Sequence, residues 1–280
     1  MVSTADEEIQ LGQRYSFGKN WTSFLSTVDD ARIEIAVQSL RNLLGVSSLI
    51  GKRFLDVGSG SGLFSLAARK LGAKVTSFDF DPASVACAEE LRSRFDLDQG
   101  QDKWTIMSGS ALDAPFLNSL GQYDVVYSWG VLHHTGHLWR ALDLVTHTVS
   151  ADGLLAIAIY NDQGWRSRMW KRVKEIYCSG ESGKFFVRSV FYPWFTLRTI
   201  LVSLIRRRNE FAHYRRNRGM SILHDWDDWL GGLPFEVATF QQLIDFYARH
   251  GFEYVRGKET RRLGCHELVF QKKPIRHERP

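Results

Sequence analysis

Three cysteines in 280 residues is a small endowment. Cys87, Cys178 and Cys265 are scattered, odd in number, and never spaced C-x-x-C. That argues against a disulfide scaffold or a zinc knuckle and fits a reducing compartment. A cytoplasmic location and no metal site are the expectations. The chain starts Met1-Val-Ser-Thr-Ala-Asp-Glu-Glu8, polar and acidic where a signal peptide would be basic and apolar. No internal repeat or low-complexity tract is present. No apolar run is clean enough to cross a bilayer: residues 184–205 come nearest, but Arg188, Pro193 and Arg198 interrupt them, and a span needs ~20 apolar residues. Acid is scarce in one stretch. Residues 165–218 hold fourteen Lys and Arg against three acids, so the net charge of +5 belongs to one insertion and the remainder is mildly acidic.

What is there reads as an alternation of strands and helices. A helix pattern over 30–45 precedes apolar runs at 53–57, 74–79, 104–108, 123–128 and 154–159, with helical segments between them. Such alternation predicts a parallel sheet with helices on both faces. Thr239-Phe-Gln-Gln242 forms a capping box that opens a helix to about His250, ended by Gly251. Two β-rich runs, 252–258 and 266–271, close the chain. Ligands in such sheets sit outside the carboxyl ends of the strands. The loops at 58–62, 79–81, 108–113, 128–137 and 160–164 are therefore the site candidates.

The first of these loops carries the strongest signal. Phe54-Leu-Asp-Val-Gly-Ser-Gly-Ser-Gly62 ends a strand in Asp56 and continues into Gly58, Gly60 and Gly62. A second run, Val75-Thr-Ser-Phe-Asp79, ends in another acid. Glycines at such a turn let backbone approach a bound molecule, and an acid on the neighbouring strand tip can accept from ribose hydroxyls. The spacing is not the Gly-x-Gly-x-x-Gly of dinucleotide sites, and Asp56 would repel a pyrophosphate. An acid there can offset a sulfonium and an amino group instead.

Asp-x-Gly-x-Gly-x-Gly followed by Val-Thr-x-x-Asp resembles motifs I and II of class I S-adenosylmethionine-dependent methyltransferases. Within that class the chain is similar to the small-molecule branch that includes ubiquinone-biosynthesis O-methyltransferases. The likeness covers about residues 50–160 well and the C-terminal hairpin loosely. It implies an α/β fold: a Rossmann-like, seven-stranded, mostly parallel sheet with a terminal antiparallel hairpin, here carrying a helical cap insertion. Four regions are expected: an N-terminal helical lid segment (1–50), a cofactor-binding core (51–162), a basic and apolar helical cap (163–235), and a C-terminal helix and hairpin completing the sheet (236–280). The implied cofactor is S-adenosyl-L-methionine. Its expected contacts are Asp56, Gly58, Ser59 and Gly60, with Asp79 on the ribose and Phe80 on the adenine face. Ser110 and Ala111 stand where the family often has an Asp toward the adenine amine. Trp129 begins the loop at the methionine end. Tyr15, Lys19, Asn20 and Trp21 belong to an aromatic segment placed to fold over the cofactor, or simply to pack on the sheet.

Methyl transfer is an in-line substitution with a neutral leaving group, so the protein must align the acceptor and, for a hydroxyl, remove its proton. His133 and His134 are the catalytic candidates. Tyr160, Asn161, Asp162 and Gln163 form a polar cluster that either holds the acceptor or supplies ordinary turn chemistry. The leading expectation is methylation of a hydroxyl or thiol on a small molecule. The alternatives are N-methylation of a small amine, suggested by that cluster, and RNA methylation through the basic insertion. The apolar segment within 184–208 reads as a lid over the acceptor or as a helix in peripheral contact with anionic lipid. Nucleic acid is not expected there, because the aromatics lie in apolar stretches and not on a spaced stacking platform.

Overall fold

The computed structural model describes residues 5–15, 25, 28–95, 103–207 and 222–274. Helix α1 (Ala5–Gln10) opens the described chain and α2 (Asp30–Leu44) precedes the sheet. There follow β1 (Arg53–Val57), α3 (Leu63–Lys70), β2 (Lys74–Asp79), α4 (Pro82–Phe95), β3 (Trp104–Ser108), α5 (Ala114–Leu120), β4 (Tyr123–Trp129), a single 3-10 turn (Leu132–His134), α6 (Leu138–Thr146) and β5 (Val149–Tyr160). The insertion supplies α7 (Trp165–Cys178), α8 (Glu181–Ile205) and α9 (Ile222–Gly231). The chain returns to the sheet through α10 (Phe240–Arg249), β6 (Phe252–Lys258) and β7 (Cys265–Lys272).

The seven strands lie in the order β3-β2-β1-β4-β5-β7-β6. The first five are parallel, while β7 runs antiparallel to both β5 and β6. Strand order reverses between β1 and β4, and the crevice outside their carboxyl ends is where such sheets bind ligands. Apolar side chains cover both faces. Ile33, Leu40, Leu66 and Leu91 bring α2, α3 and α4 onto one side. Leu117, Leu142, Leu243 and Tyr247 bring α5, α6 and α10 onto the other. Each face is sealed, so the central strands carry the near-continuous apolar runs from which they were recognisable.

Local chemistry explains the element ends. Asp29 accepts from the Arg32 amide and caps α2, and Gly45 ends it in the left-handed region at φ 67°. Pro82 begins α4, where its missing N–H costs nothing. The capping box of Thr239 and Gln242 forms as expected at the start of α10. Residues 151–153 lie within β5, with Asp152 at φ 60° and the pairing to β4 shifting register between Tyr123 and Val125. Helix α8 runs for 25 residues with Pro193 inside it. A proline inside a helix costs ~3 kcal/mol, and here Val187, Phe191 and Phe195 pack with Trp170, Tyr177 and Leu230 into a separate apolar cluster that offsets it. No described helix is long and apolar enough to cross a membrane.

A polar pin fixes the three helices of the insertion. The Asp227 carboxylate of α9 accepts from Arg188 Nε and Nη2 at 2.9 Å each, and from the Tyr177 and Tyr192 hydroxyls at 2.7 Å each. The carboxylate beside Trp226 and Trp229 is thus used within the insertion, and both tryptophans pack in its core.

Candidate functional site

The glycine loop leaves β1 with Gly58, Gly60 and Gly62 all at positive φ (76°, 53° and 78°), a path that disfavours side chains. The Gly58 and Ser59 amides donate to the Phe78 carbonyl at 2.9 and 3.0 Å, which ties the loop to β2. At the tip of β2, Asp79 accepts from the Gly60 amide through one oxygen and from the Asp81 amide through the other, each at 2.9 Å. Asp56 lies beneath, buried, and accepts from the Ser65 hydroxyl at 2.6 Å.

Asp56 is buried and Asp79 half-buried at the cavity wall. Burial pushes the Asp56 carboxyl up to about 7, opposed by the Ser65 hydrogen bond and reinforced by Asp79. Burial pushes Asp79 up to about 6 against its two amide donors. Desolvation of a carboxylate favours its neutral form, and a positive or hydrogen-bond-donating guest would reverse that.

These groups line a cavity of about 770 Å³ at the carboxyl edge of the sheet. Of the residues singled out in the sequence, Tyr15, Asp56, Gly58, Ser59, Gly60, Asp79, Phe80, Ser110, Ala111, Trp129 and His134 line it together. Lys19, Asn20 and Trp21 lie outside the described residues. Trp129 stacks on Tyr127 with centroids 5.5 Å apart and planes 2° from parallel. The Ser59 and Tyr127 hydroxyls, both in the cavity wall, are buried without a hydrogen-bond partner in the protein. Ser110 accepts from the Leu112 amide at 3.1 Å, and Asp113 caps α5 by accepting from Phe116.

Five expected site residues sit elsewhere. His133 is fully buried and does not line the cavity; its ring packs 3.9 Å from Tyr160 and 4.4 Å from His134. Burial, with His134 and Lys174 nearby, holds it well below the ordinary imidazole range. Tyr160, Asn161, Asp162 and Gln163 also stay off the cavity. The polar side chains of Asn161 and Asp162 serve the turn after β5. Asp162 accepts from Gly164 at 2.8 Å, Asn161 donates to Arg262, and the Asn161 and Asp162 amides pair with Gly264 and Ala238. The residues that end a strand and cross to a hairpin need these bonds, which is the turn chemistry such residues favour.

His134 does face the cavity. Its Nδ1 lies 2.6 Å from the Pro234 carbonyl, which only accepts, so Nδ1 carries the proton and Nε2 is the acceptor of the neutral ring. Burial and the charge of Lys174 lower it to about 3. The buried Lys174 amine itself donates to the Trp229 carbonyl at 2.5 Å and lies over the Phe235 ring.

Other wall residues carried no sequence signal. Arg14 pairs with Glu8 at 2.6 Å, donates to the His134 carbonyl at 3.1 Å, and lies 4.9 Å over the Phe80 ring. Glu8, Gln13, Arg14 and Tyr15 thereby place the segment after α1 against the cavity. His137, Arg140 and Pro234 complete the far wall. These contacts join positions up to 120 residues apart, which no local pattern announces.

Residues 55–155 match the sequence family described as "Methyltransferase domain". Over 143 residues the chain is 29% identical to a ribosomal protein L11 methyltransferase of Streptococcus pyogenes serotype M12 (strain MGAS2096), covering 45% of this chain and 44% of that protein. The chain therefore spans less than half the length of the curated relatives it matches. Among solved structures it is similar to magnesium protoporphyrin IX methyltransferase from Synechocystis PCC 6803 (TM-score 0.52, 13% identity, 98% of this chain and 89% of that one). It is similar also to a putative sarcosine dimethylglycine methyltransferase from Galdieria sulphuraria (TM-score 0.51, 12% identity, 86% and 84%). At such identities these two are likenesses of fold.

Proposed function

We propose that this chain, whose residues 55–155 match a methyltransferase domain, is a class I, S-adenosylmethionine-dependent methyltransferase that transfers a methyl group to a hydroxyl or thiol of a small molecule. The observation that carries the reading is the Asp79 carboxylate, held against the glycine loop by Gly60 and Asp81. It presents acceptors for a ribose diol beside a loop whose buried Asp56 disfavours a pyrophosphate.

The residues present fit the cofactor. Buried Asp56 and half-buried Asp79 favour a guest bearing an ammonium and a sulfonium, and the unpartnered Ser59 and Tyr127 hydroxyls await polar atoms. Phe80, backed by Arg14, offers a face for adenine, and Ser110 and Ala111 flank it. Trp129 and the Gly58–Gly60 backbone would hold the methionine end. When bound, S-adenosylmethionine supplies an electrophilic methyl group.

The protein's own work is alignment and exclusion of water. Glu8, Gln13, Arg14 and Tyr15 close against the cavity from the N-terminal side, and a drier site favours discharge of a sulfonium. A cavity near 770 Å³ suits the cofactor with a small acceptor. Of the two adjacent histidines, His134 is the one that lines the cavity where that acceptor would sit. With its pKa depressed to about 3 it is a weak base, so the reading favours acceptors that ionise readily, such as thiols and acidic hydroxyls. The amine alternative loses its support, since Asn161 and Asp162 are engaged in turn bonds away from the cavity. The partial match to the L11 enzyme does not carry that enzyme's acceptor to this chain. The test is a metabolite-pool screen with methyl-labelled cofactor: label entering a hydroxyl- or thiol-bearing small molecule supports the reading, and label confined to RNA or protein refutes it.

A further inference from the structure

Helix α8 is apolar on two sides. Val187, Phe191 and Phe195 turn inward onto α7 and α9. On the other side Phe186, Val190, Trp194, Leu197, Leu201 and Leu204 recur at intervals of three and four, each at least half exposed. Residues so spaced form one stripe along a helix, here over a rise of roughly 27 Å. A contiguous exposed apolar stripe marks a surface that something covers.

Charge says what covers it. From Ser182 to Arg207 the chain has five basic residues and no acid. Arg198, Arg206 and Arg207 are exposed at and near the C-terminal end of the stripe. The sequence then continues with Arg208, Arg215, Arg216 and Arg218. We propose that this face of α8 lies on an anionic lipid surface, its apolar stripe in the acyl boundary and its arginines at the headgroups. A long amphipathic segment of this composition is suited to lying in the interface, and clustered arginines add attraction to acidic headgroups. No described helix is long and apolar enough to cross, so the contact is peripheral. A second copy of the chain is a poorer cover. A two-fold pairing would set the same patch against itself, and the one acid on α8, Glu181, is already held by Lys184 at 2.6 Å. None of the six stripe residues lines the cavity, so the inference stands apart from the methyl-transfer reading.

The test is co-sedimentation of the full chain with vesicles of phosphatidylcholine alone and of equal parts phosphatidylcholine and phosphatidylglycerol. At least about tenfold more protein should partition onto the anionic vesicles, falling as salt rises. Leu197→Asp with Leu201→Asp should reduce that about tenfold while circular dichroism and affinity for S-adenosylhomocysteine stay those of the wild type. Arg206→Gln with Arg207→Gln, which leaves the apolar stripe intact, should erase much of the anionic preference. Wild-type protein that stays in the supernatant with both vesicles overturns the proposal. So does a dimer in sedimentation equilibrium that Leu197→Asp dissociates without any vesicle binding, or binding to RNA in place of vesicles.

Discussion

The Gly60 amide donates to the Asp79 carboxylate at 2.9 Å, across 19 residues of sequence. One hydrogen bond thus joins the glycine loop after β1 to the tip of β2, where Asp79 lines the cavity. Asp79→Ala should weaken binding of S-adenosylhomocysteine by ~1–3 kcal/mol, the scale of lost hydrogen bonds to a charged group. Calorimetry reads the affinity, and a melt without ligand separates this from the loss of the loop's own anchor. Unchanged affinity would remove Asp79 from the site.

The raised values of Asp56 (about 7) and Asp79 (about 6) have a direction that can be measured. A cofactor that prefers the ionised acids must displace protons when it binds below those values. Affinity should therefore climb as pH rises through 6 to 7 and level off above. Titrations in two buffers of different ionisation heat should register proton release near pH 6, and proton uptake would contradict the assignment.

Stability without cofactor should run the other way. A carboxyl whose folded pKa is raised contributes stability below its unfolded value that is lost as pH climbs through the folded one. Asp56→Asn removes that loss while its side-chain oxygen can still accept from Ser65. Denaturant melts should find the variant more stable than wild type at pH 8, on the order of 2–4 kcal/mol, with the gap closing toward pH 4. A variant less stable at pH 8 would mean the buried carboxylate is better compensated than described.

Adjacent histidines should separate by function. His134→Gln should lower turnover about 10- to 100-fold with cofactor affinity and melting little changed. The wild-type rate profile should show no inflection from His134 between pH 5 and 8, because its pKa lies near 3. His133→Gln should instead cost ~1–3 kcal/mol of stability, since it disturbs a fully buried, ring-packed position. Equal losses of turnover in both variants, with folding intact, would undo the distinction.

In the insertion, Asp227→Ala leaves Arg188, Tyr177 and Tyr192 without their shared acceptor. With Arg188 partly solvated, a loss of ~1–3 kcal/mol is expected in a thermal or denaturant melt. Cofactor affinity should not change, and a fall there would place this pin in the site.

The sequence was legible where chemistry is local. The loop 56–62, the acid at 79 and the capping box at 239–242 each announce themselves within a few residues, and the sheet follows from apolar runs sealed on both faces. It was illegible where a role depends on distant partners. Arg14 gains its place from Glu8, Phe80 and the His134 carbonyl, and Pro234 from a histidine 100 positions earlier. Asn161 and Asp162 were ambiguous for the converse reason: residues suited to holding a ligand are also those that close a turn, and here their side chains bond to the backbone of Arg262 and Gly164.

The most direct measurement is a calorimetric titration of the wild-type chain with S-adenosylhomocysteine, run beside an identical titration with NAD. A dissociation constant on the order of micromolar, or about −8 kcal/mol, is expected for the first, with no measurable heat from the second. Binding of the dinucleotide, with S-adenosylhomocysteine inert, would contradict the account at its root.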